Sequence, residues 1–195
     1  MKAICVFAGA NSGIRPHFAD TARTVGEALA RRGITLVFGG GRVGLMGAVS
    51  QGARTAGGTV VGVIPAALQR KELAYDRGEL SELIVVRSMH ERKATMAELA
   101  DGFVALPGGF GTFEEICEMI TWAQLGIHRK PCGLVNVDGY FDGLSQQFDR
   151  AVADGLLRAD HRGLVIAEPD PEHLLDRMQA WLPSPLEFQL DWSNT

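Results

Sequence analysis

The sequence predicts an α/β fold: one Rossmann-like, doubly wound parallel sheet with helices on both faces. Three observations support this. Short apolar runs alternate with stretches whose apolar residues recur at helical spacing, giving a βαβαβ order from the start of the chain. Glycine clusters follow several of the apolar runs directly, and the 24 glycines sit beside a 46% hydrophobic content that suits an enzyme-like α/β protein. A length of 195 residues is that of one ordinary domain able to bury a core.

Ile4 to Phe7 form the first strand. Met1-Lys2 and the apolar run to Ala10 have the outline of a secretion signal, but the run is short and passes straight into a loop and helix, so it reads as a strand. The loop Gly9-Ala10-Asn11-Ser12-Gly13 precedes a helix with Pro16 at its first turn, Phe18, Ala22, Val25 and Leu29 on one face, and Gly33 as its stop. Ile34 to Phe38 make the second strand, Gly39 to Gly47 turn into a second helix ending near Gly57-Gly58, and Val60 to Ile64 make the third strand. Gln69 to Ser81 is polar and irregular, a surface excursion. Then come a strand at Leu83 to Val86, a helix at Met89 to Ala100, a strand at Phe103 to Leu106, a glycine turn with its helix, a strand at Gly133 to Val137, a helix at Tyr140 to Ala153 and a strand at Leu164 to Ile166. The last helix has Asp170 as cap and Pro171 at its first position, and carries Leu174, Leu175, Met178 and Trp181. The domain is expected to span 1–182, with 183–195 a loosely attached tail.

A net charge of −4 gives no general basic surface, so no nucleic acid or anionic membrane partner is expected, and nothing approaches a membrane-spanning length. Cys5, Cys117 and Cys132 lack metal or redox spacing and sit in apolar runs, as reduced core residues of a cytoplasmic protein would. The five histidines are scattered, so no metal site is expected. Gly39, Gly41 and Gly44 match the dinucleotide fingerprint, but they follow the second strand and no acidic residue ends the third. No NAD or other cofactor is therefore expected, and those glycines are left to line a crevice at the carboxyl ends of the strands.

The chemistry concentrates in Pro107-Gly108-Gly109-Phe110-Gly111-Thr112-Phe113-Glu114-Glu115. A strand, a glycine turn and a helix start present unpaired N–H groups and the positive end of a helix dipole, which suit a phosphate or carboxylate. Glu114 and Glu118, four apart, share an outer face. Glu115 instead aligns with Thr112, Met119 and Trp122, and is the carboxylate expected to meet a part of the ligand that is neutral or becomes positive during reaction. Upstream, Ser88 and Glu91 have capping-box spacing, and Arg92 with Lys93 fall on the same helix face as Met89, Met96 and Leu99. Cations on such a stripe are costly unless paired, and this helix begins near the glycine turn. Tyr75 and Phe110 are candidates for stacking on a base.

With these residues in hand, the sequence closely resembles the LOG (Lonely Guy) family of cytokinin riboside 5′-monophosphate phosphoribohydrolases. The family pattern P-G-G-x-G-T-x-x-E is met by Pro107 to Glu115, its Arg-Lys pair by Arg92 and Lys93, and its G-G-G-x-x-G-L-M-G turn by Gly39 to Gly47; Ile120 to His128 is also similar. The resemblance implies hydrolysis of the N-glycosidic bond of N6-modified adenosine 5′-monophosphates, with AMP a further expected substrate, to free base and ribose 5-phosphate. It implies Arg92 and Glu115 as catalytic residues. The substrate would be bound by Glu72, Met89, Lys93, Gly108, Gly109, Phe110, Gly111, Thr112, Glu114 and Thr121. It also implies a homodimer, which an apolar strip at Met119 and Trp122 would suit. Two alternatives stand beside it: a general purine nucleotide nucleosidase, and a binding protein resembling the molybdenum-cofactor carriers. Lysine decarboxylase, a label attached to relatives, needs a lysine bound to pyridoxal phosphate, and only Lys2, Lys71, Lys93 and Lys130 are available.

Overall fold

Parallel strands buried on both faces read as continuous apolar runs, and each run places one strand in the computed structural model, which describes residues 1–69, 75–76 and 78–181. The strands are β1 (Ala3–Phe7), β2 (Thr35–Phe38), β3 (Val60–Pro65), β4 (Glu82–Val86), β5 (Gly102–Ala105), β6 (Cys132–Val135) and β7 (Val165–Glu168). They form one parallel sheet in the order β4-β3-β2-β1-β5-β6-β7. The edge strands β4 and β7 are the ones partly open to solvent. Cys5 and Cys132 lie in the sheet interior as free, buried thiols, and burial pushes the Cys132 thiol up to about 12. The expected tail and Glu72 lie outside the described residues.

The two faces are covered by different helices. α1 (His17–Arg31), α2 (Gly44–Thr55) and α8 (Pro171–Ala180) close one face through Phe18, Val25, Leu29, Val49, Leu174 and Met178. α4 (Met89–Leu99) and α5 (Phe110–Gln124) close the other through Met96, Ala97, Ile116 and Met119, while α6 (Asp142–Ala153) packs there through Leu144. Short helical turns α3 (Ala66–Gln69) and α7 (Ala159–Arg162) complete the set among the described residues. Side-chain caps fix two starts: the Asp170 carboxylate accepts the His173 N–H at 2.8 Å, and the Ser88 hydroxyl accepts the Glu91 N–H at 3.1 Å. The second half of the expected capping box is displaced by one residue, since the Glu91 carboxylate accepts the Arg87 N–H, at 2.8 Å.

Two expectations are corrected. Tyr75 and Leu80, inside the stretch read as a surface excursion, are core residues; Tyr75 is 5% exposed, packs edge-on against Phe38 and is flanked by Arg42 and Arg54, so it is no free stacking platform. Met119 is 1% exposed within the monomer, so it offers no apolar strip to a partner, and Trp122 is half-buried. One helical period carries Glu115 to Arg92 and Met119 under the sheet, a difference of angle that residue spacing alone does not resolve.

α1 and α2 approach closely because each presents a glycine to the other. A Cβ on Gly26 would lie 2.1 Å from the Val49 carbonyl oxygen, and one on Gly52 would lie 2.1 Å from the Arg23 carbonyl oxygen. Gly26→Ala is therefore expected to lower the free energy of unfolding by roughly 1–3 kcal/mol despite the better helical propensity of alanine. Urea denaturation checks this, and an unchanged or raised midpoint would show that the backbones are not locked together there.

Candidate active site

The order of strands places a crevice at the centre of the sheet. The chain leaves β1 toward β2, β3 and β4, then returns on the other side through β5, so the loops after β1 and β5 diverge at the carboxyl edge. A cleft with about 190 Å³ of room opens there, between Gly9 to Gly13 on one wall and Pro107, Gly108 and Gly109 on the other, with Phe18, Leu45 and Tyr140 around it. Its walls are tied together: the Gly9 N–H donates to the Pro107 carbonyl at 3.0 Å, and the Leu45 N–H to the Gly9 carbonyl at 2.9 Å. The glycines are needed for this fit. A Cβ on Gly108 would lie 2.1 Å from Thr112 Oγ1, and one on Gly44, whose φ is +62°, would lie 2.3 Å from the Ala10 backbone.

α5 starts at this cleft with Gly109 as its N-cap, and its first bond closes from the Phe113 N–H to the Gly109 carbonyl at 3.1 Å. The N–H groups of Gly109, Phe110, Gly111 and Thr112 precede that bond and have no acceptor among the described residues. Thr112 is buried, and Phe110 is 94% exposed at the lip. Four free amides at the positive end of a fifteen-residue helix form a seat for an anion.

Glu115 sits three residues after Thr112, a rise of about 4.5 Å along the helix axis. Its side chain is 13% exposed and faces Arg92, whose Nη1 lies 3.8 Å from Glu115 Oε1. The guanidinium is otherwise held by backbone carbonyls at the strand ends: Nε donates to Val63 O at 3.2 Å and Nη2 to Gly39 O at 3.1 Å, while Nη1 lies 3.5 Å from Met89 Sδ. Gly39 makes room for it, since a Cβ there would lie 1.9 Å from Arg92 Nη2. The Glu115 oxygens accept no hydrogen bond among the described residues, so they remain open to a ligand. Burial pushes the Glu115 carboxyl up to about 7; the opposing pull of Arg92 only partly offsets this, and Glu114 adds to the rise.

Lys93 has turned to the other carboxylates. Its ammonium pairs with Glu114 and, at 2.9 Å, with Glu118. Burial alone would lower its pKa, but those two contacts hold it above the ordinary value. Glu114 and Glu118 do share one face, as their spacing predicts, and Lys93 offsets one of the two charges on it. The remaining expected residues are less concentrated. Met89 is 42% exposed beside Arg92. Thr121 is exposed, with its hydroxyl donating to the Cys117 carbonyl at 2.8 Å, and it lies nine residues along α5 from Thr112. Two contributors escaped sequence reasoning. Gly39 has a specific task as the space for Arg92, and Tyr140 donates its hydroxyl to the Gly108 carbonyl. The Gly-Gly-Gly run signalled the first; nothing local signalled the second.

A protein-family model described as "possible lysine decarboxylase" matches residues 46–178. A probable cytokinin riboside 5′-monophosphate phosphoribohydrolase of Oryza sativa subsp. japonica is 50% identical over 183 residues, which cover 93% of this chain and 79% of the relative. A cytokinin riboside 5′-monophosphate phosphoribohydrolase of Arabidopsis thaliana is 48% identical over 182 residues, covering 93% and 79%. The chain belongs to the LOG family.

Among solved structures, the molybdenum cofactor carrier protein of Chlamydomonas reinhardtii superposes with a TM-score of 0.69 at 22% identity, over 92% of this chain and 98% of that one. That likeness shows the shared fold alone. Two of the lysines that the decarboxylase description would call on are engaged elsewhere. Lys93 is committed to two glutamates, and Lys130 donates to the Ala97 carbonyl at 2.7 Å, beside Asp101 and Phe103 at the amino ends of the strands.

The raised Glu115 pKa is also a statement about stability. The folded state holds its proton more tightly than the unfolded chain, so below the ordinary carboxyl range the group costs nothing, and the cost grows as pH rises through about 7. Glu115→Gln is expected to stabilise the protein by roughly 2–4 kcal/mol at pH 8, with the gain vanishing near pH 4. Unfolding curves at the two pH values test the sign; a variant less stable than wild type at pH 8 would mean that Glu115 is not held against its charge.

Proposed function

We propose that this protein hydrolyses the N-glycosidic bond of N6-modified adenosine 5′-monophosphates, releasing the free base and ribose 5-phosphate. The observation that carries this reading is a buried carboxylate and guanidinium placed one helical turn beyond four free amides. The amides of Gly109 to Thr112 seat the phosphate, and Gly108, Phe110 and Met89 line the approach. The distance from that seat to Glu115 suits the span from a 5′-phosphate to the anomeric carbon. In the reaction, a water oxygen bonds to C1′, the C1′–N9 bond breaks with its electrons going to the base, and the base gains a proton.

Glu115 and Arg92 are the catalytic pair. The ionised Glu115 stabilises the ribosyl cation that develops as the bond breaks and accepts the proton of the attacking water. Arg92 steadies that charge and donates to the substrate or the departing base. Lys93 serves nucleotide binding at one remove: it offsets one of the two charges of Glu114 and Glu118, which weakens their repulsion of an anion at the helix start. A homodimer belongs to the same reading. Met89 and Phe110 stand exposed beside the crevice, and Thr121, about 13 Å along the helix from Thr112, contributes to a site only if a second copy brings it there. Light scattering that showed a monomer at micromolar concentration would remove the dimer. The purine nucleotide nucleosidase is the second reading, since nothing in the cleft walls described here selects the N6 substituent.

Chromatography of wild type and Glu115→Gln incubated with isopentenyl-AMP, AMP and isopentenyladenosine tests the assignment. Free base is expected from isopentenyl-AMP, little from the nucleoside that lacks phosphate, and turnover reduced roughly 10²–10⁴-fold in the variant. AMP cleaved as well as isopentenyl-AMP would leave the chemistry and select the second reading, whereas no base from any substrate would favour a binding protein. The pH dependence tests the pair itself. Because the ionised carboxylate does the work, kcat/KM falls below about pH 7 in wild type. Arg92→Ala removes the charge that pulls the Glu115 pKa down, so the acid limb moves to higher pH; a limb that stays in place would separate Arg92 from Glu115.

A further inference from the structure

Glycine on both sides makes the Gly108–Gly109 peptide the least constrained part of the cleft wall. Neither glycine has a Cβ to oppose rotating that peptide by about 180°, a rotation that would exchange the Gly109 N–H for the Gly108 carbonyl. A planar trans peptide points these two groups in opposite directions, so its orientation decides whether the wall offers an anion a donor or a repelling oxygen. In the observed orientation the Gly108 carbonyl accepts the Tyr140 hydroxyl, and the Gly109 N–H, turned the other way, meets no acceptor among the described residues.

Tyr140 is itself firmly placed. Its ring packs edge-on against Phe18 and Phe141, at 5.8 and 5.1 Å between centroids, and stacks on Phe113 at 6.4 Å. The turn that delivers it holds two successive left-handed residues, Asp138 at φ 52° and Gly139 at φ 70°. Left-handed backbone at a non-glycine residue carries a cost and persists only where the surroundings impose it. Here the Asp138 carboxylate pairs with Arg15 at 3.1 Å and His17 at 2.5 Å, which ties the turn to the opposite wall of the cleft. The Asn136 side chain closes the same turn, accepting the Phe141 N–H and donating to Asp142, both at 2.7 Å.

Given the phosphate seat proposed above, we infer that Tyr140 is a positioning residue that locks the Gly108–Gly109 peptide with its N–H, and not its carbonyl, available to the substrate phosphate. Tyr140 touches none of the reacting atoms. Its contribution is to the affinity for the phosphate end of the substrate, and it is separable from the chemical step at Glu115.

Tyr140→Phe keeps the ring and its packing while removing the hydroxyl, and calorimetric titration with ribose 5-phosphate and with inorganic phosphate, beside steady-state kinetics, reads the result. The Kd for ribose 5-phosphate and the KM for isopentenyl-AMP are both expected to rise roughly 3- to 15-fold, the effect of one hydrogen bond, with kcat within about twofold of wild type. The slow cleavage of isopentenyladenosine, which has no phosphate, is expected to be unchanged. Equal Kd and KM in the two proteins, or a loss shared by the substrate that lacks phosphate, would reduce Tyr140 to a packing role. Wild type that binds neither anion would overturn the phosphate seat itself, and the lock with it.

Discussion

A guanidinium taken out of water must be met by partners, and the carboxyl edge of a parallel sheet provides them only at a point where strand ends expose carbonyls. Arg92 uses two of these, on Val63 and Gly39, and then lies 3.8 Å from Glu115, the one carboxylate that approaches it among the described residues. The rest of the site follows from satisfying that buried charge. The second strand must end in a residue with no side chain, because a Cβ at Gly39 would occupy the place of Nη2. α4 must begin where Ser88 caps it, so that Arg92 falls in its first turn. α5 must place its first carboxylates at an angle that brings one of them, and only one, to the cation.

That angular division gives three neighbouring glutamates different chemistry. Glu114 and Glu118 meet Lys93. Glu115 is buried with a cation too far away for a hydrogen bond, and its pKa sits near 7, where it can exchange a proton under ordinary conditions. Lys93 thus reduces the repulsion that carboxylates beside the helix start would exert on an anion. The seat keeps its free amides, one of the two charges on the Glu114–Glu118 face is offset by Lys93, and Glu115 faces Arg92 instead.

Much of this was legible because it depends on local periodicity. The apolar runs marked the strands to within one or two residues. The i, i+4 relation of Glu114 and Glu118 separated them from Glu115, and the cations on the apolar stripe of α4 announced a buried pair. What was not legible depends on contacts between distant segments. Tyr75 lies in a polar stretch, and nothing beside it shows that Phe38 and two arginines enclose it. Met119 shares the angular sector of Glu115 on a helical wheel, yet the sheet covers one and Arg92 meets the other. Tyr140 follows a strand thirty residues after the turn it holds, and its partner there is a backbone oxygen, which no sequence pattern records.

The same reasoning separates the fold from the chemistry it carries. The likeness to a molybdenum cofactor carrier protein extends to the fold, and a fold shared at that level does not decide the chemistry placed on it. A carrier has no use for a carboxylate that is buried, short of hydrogen bonds and poised near neutrality, since keeping it so lowers stability at the pH where the protein works. A group held against its own charge in this way is more economically explained by a reaction that passes through a cation than by binding alone. On that ground the proposed hydrolysis rests on Glu115 more than on the glycine turn that leads to it.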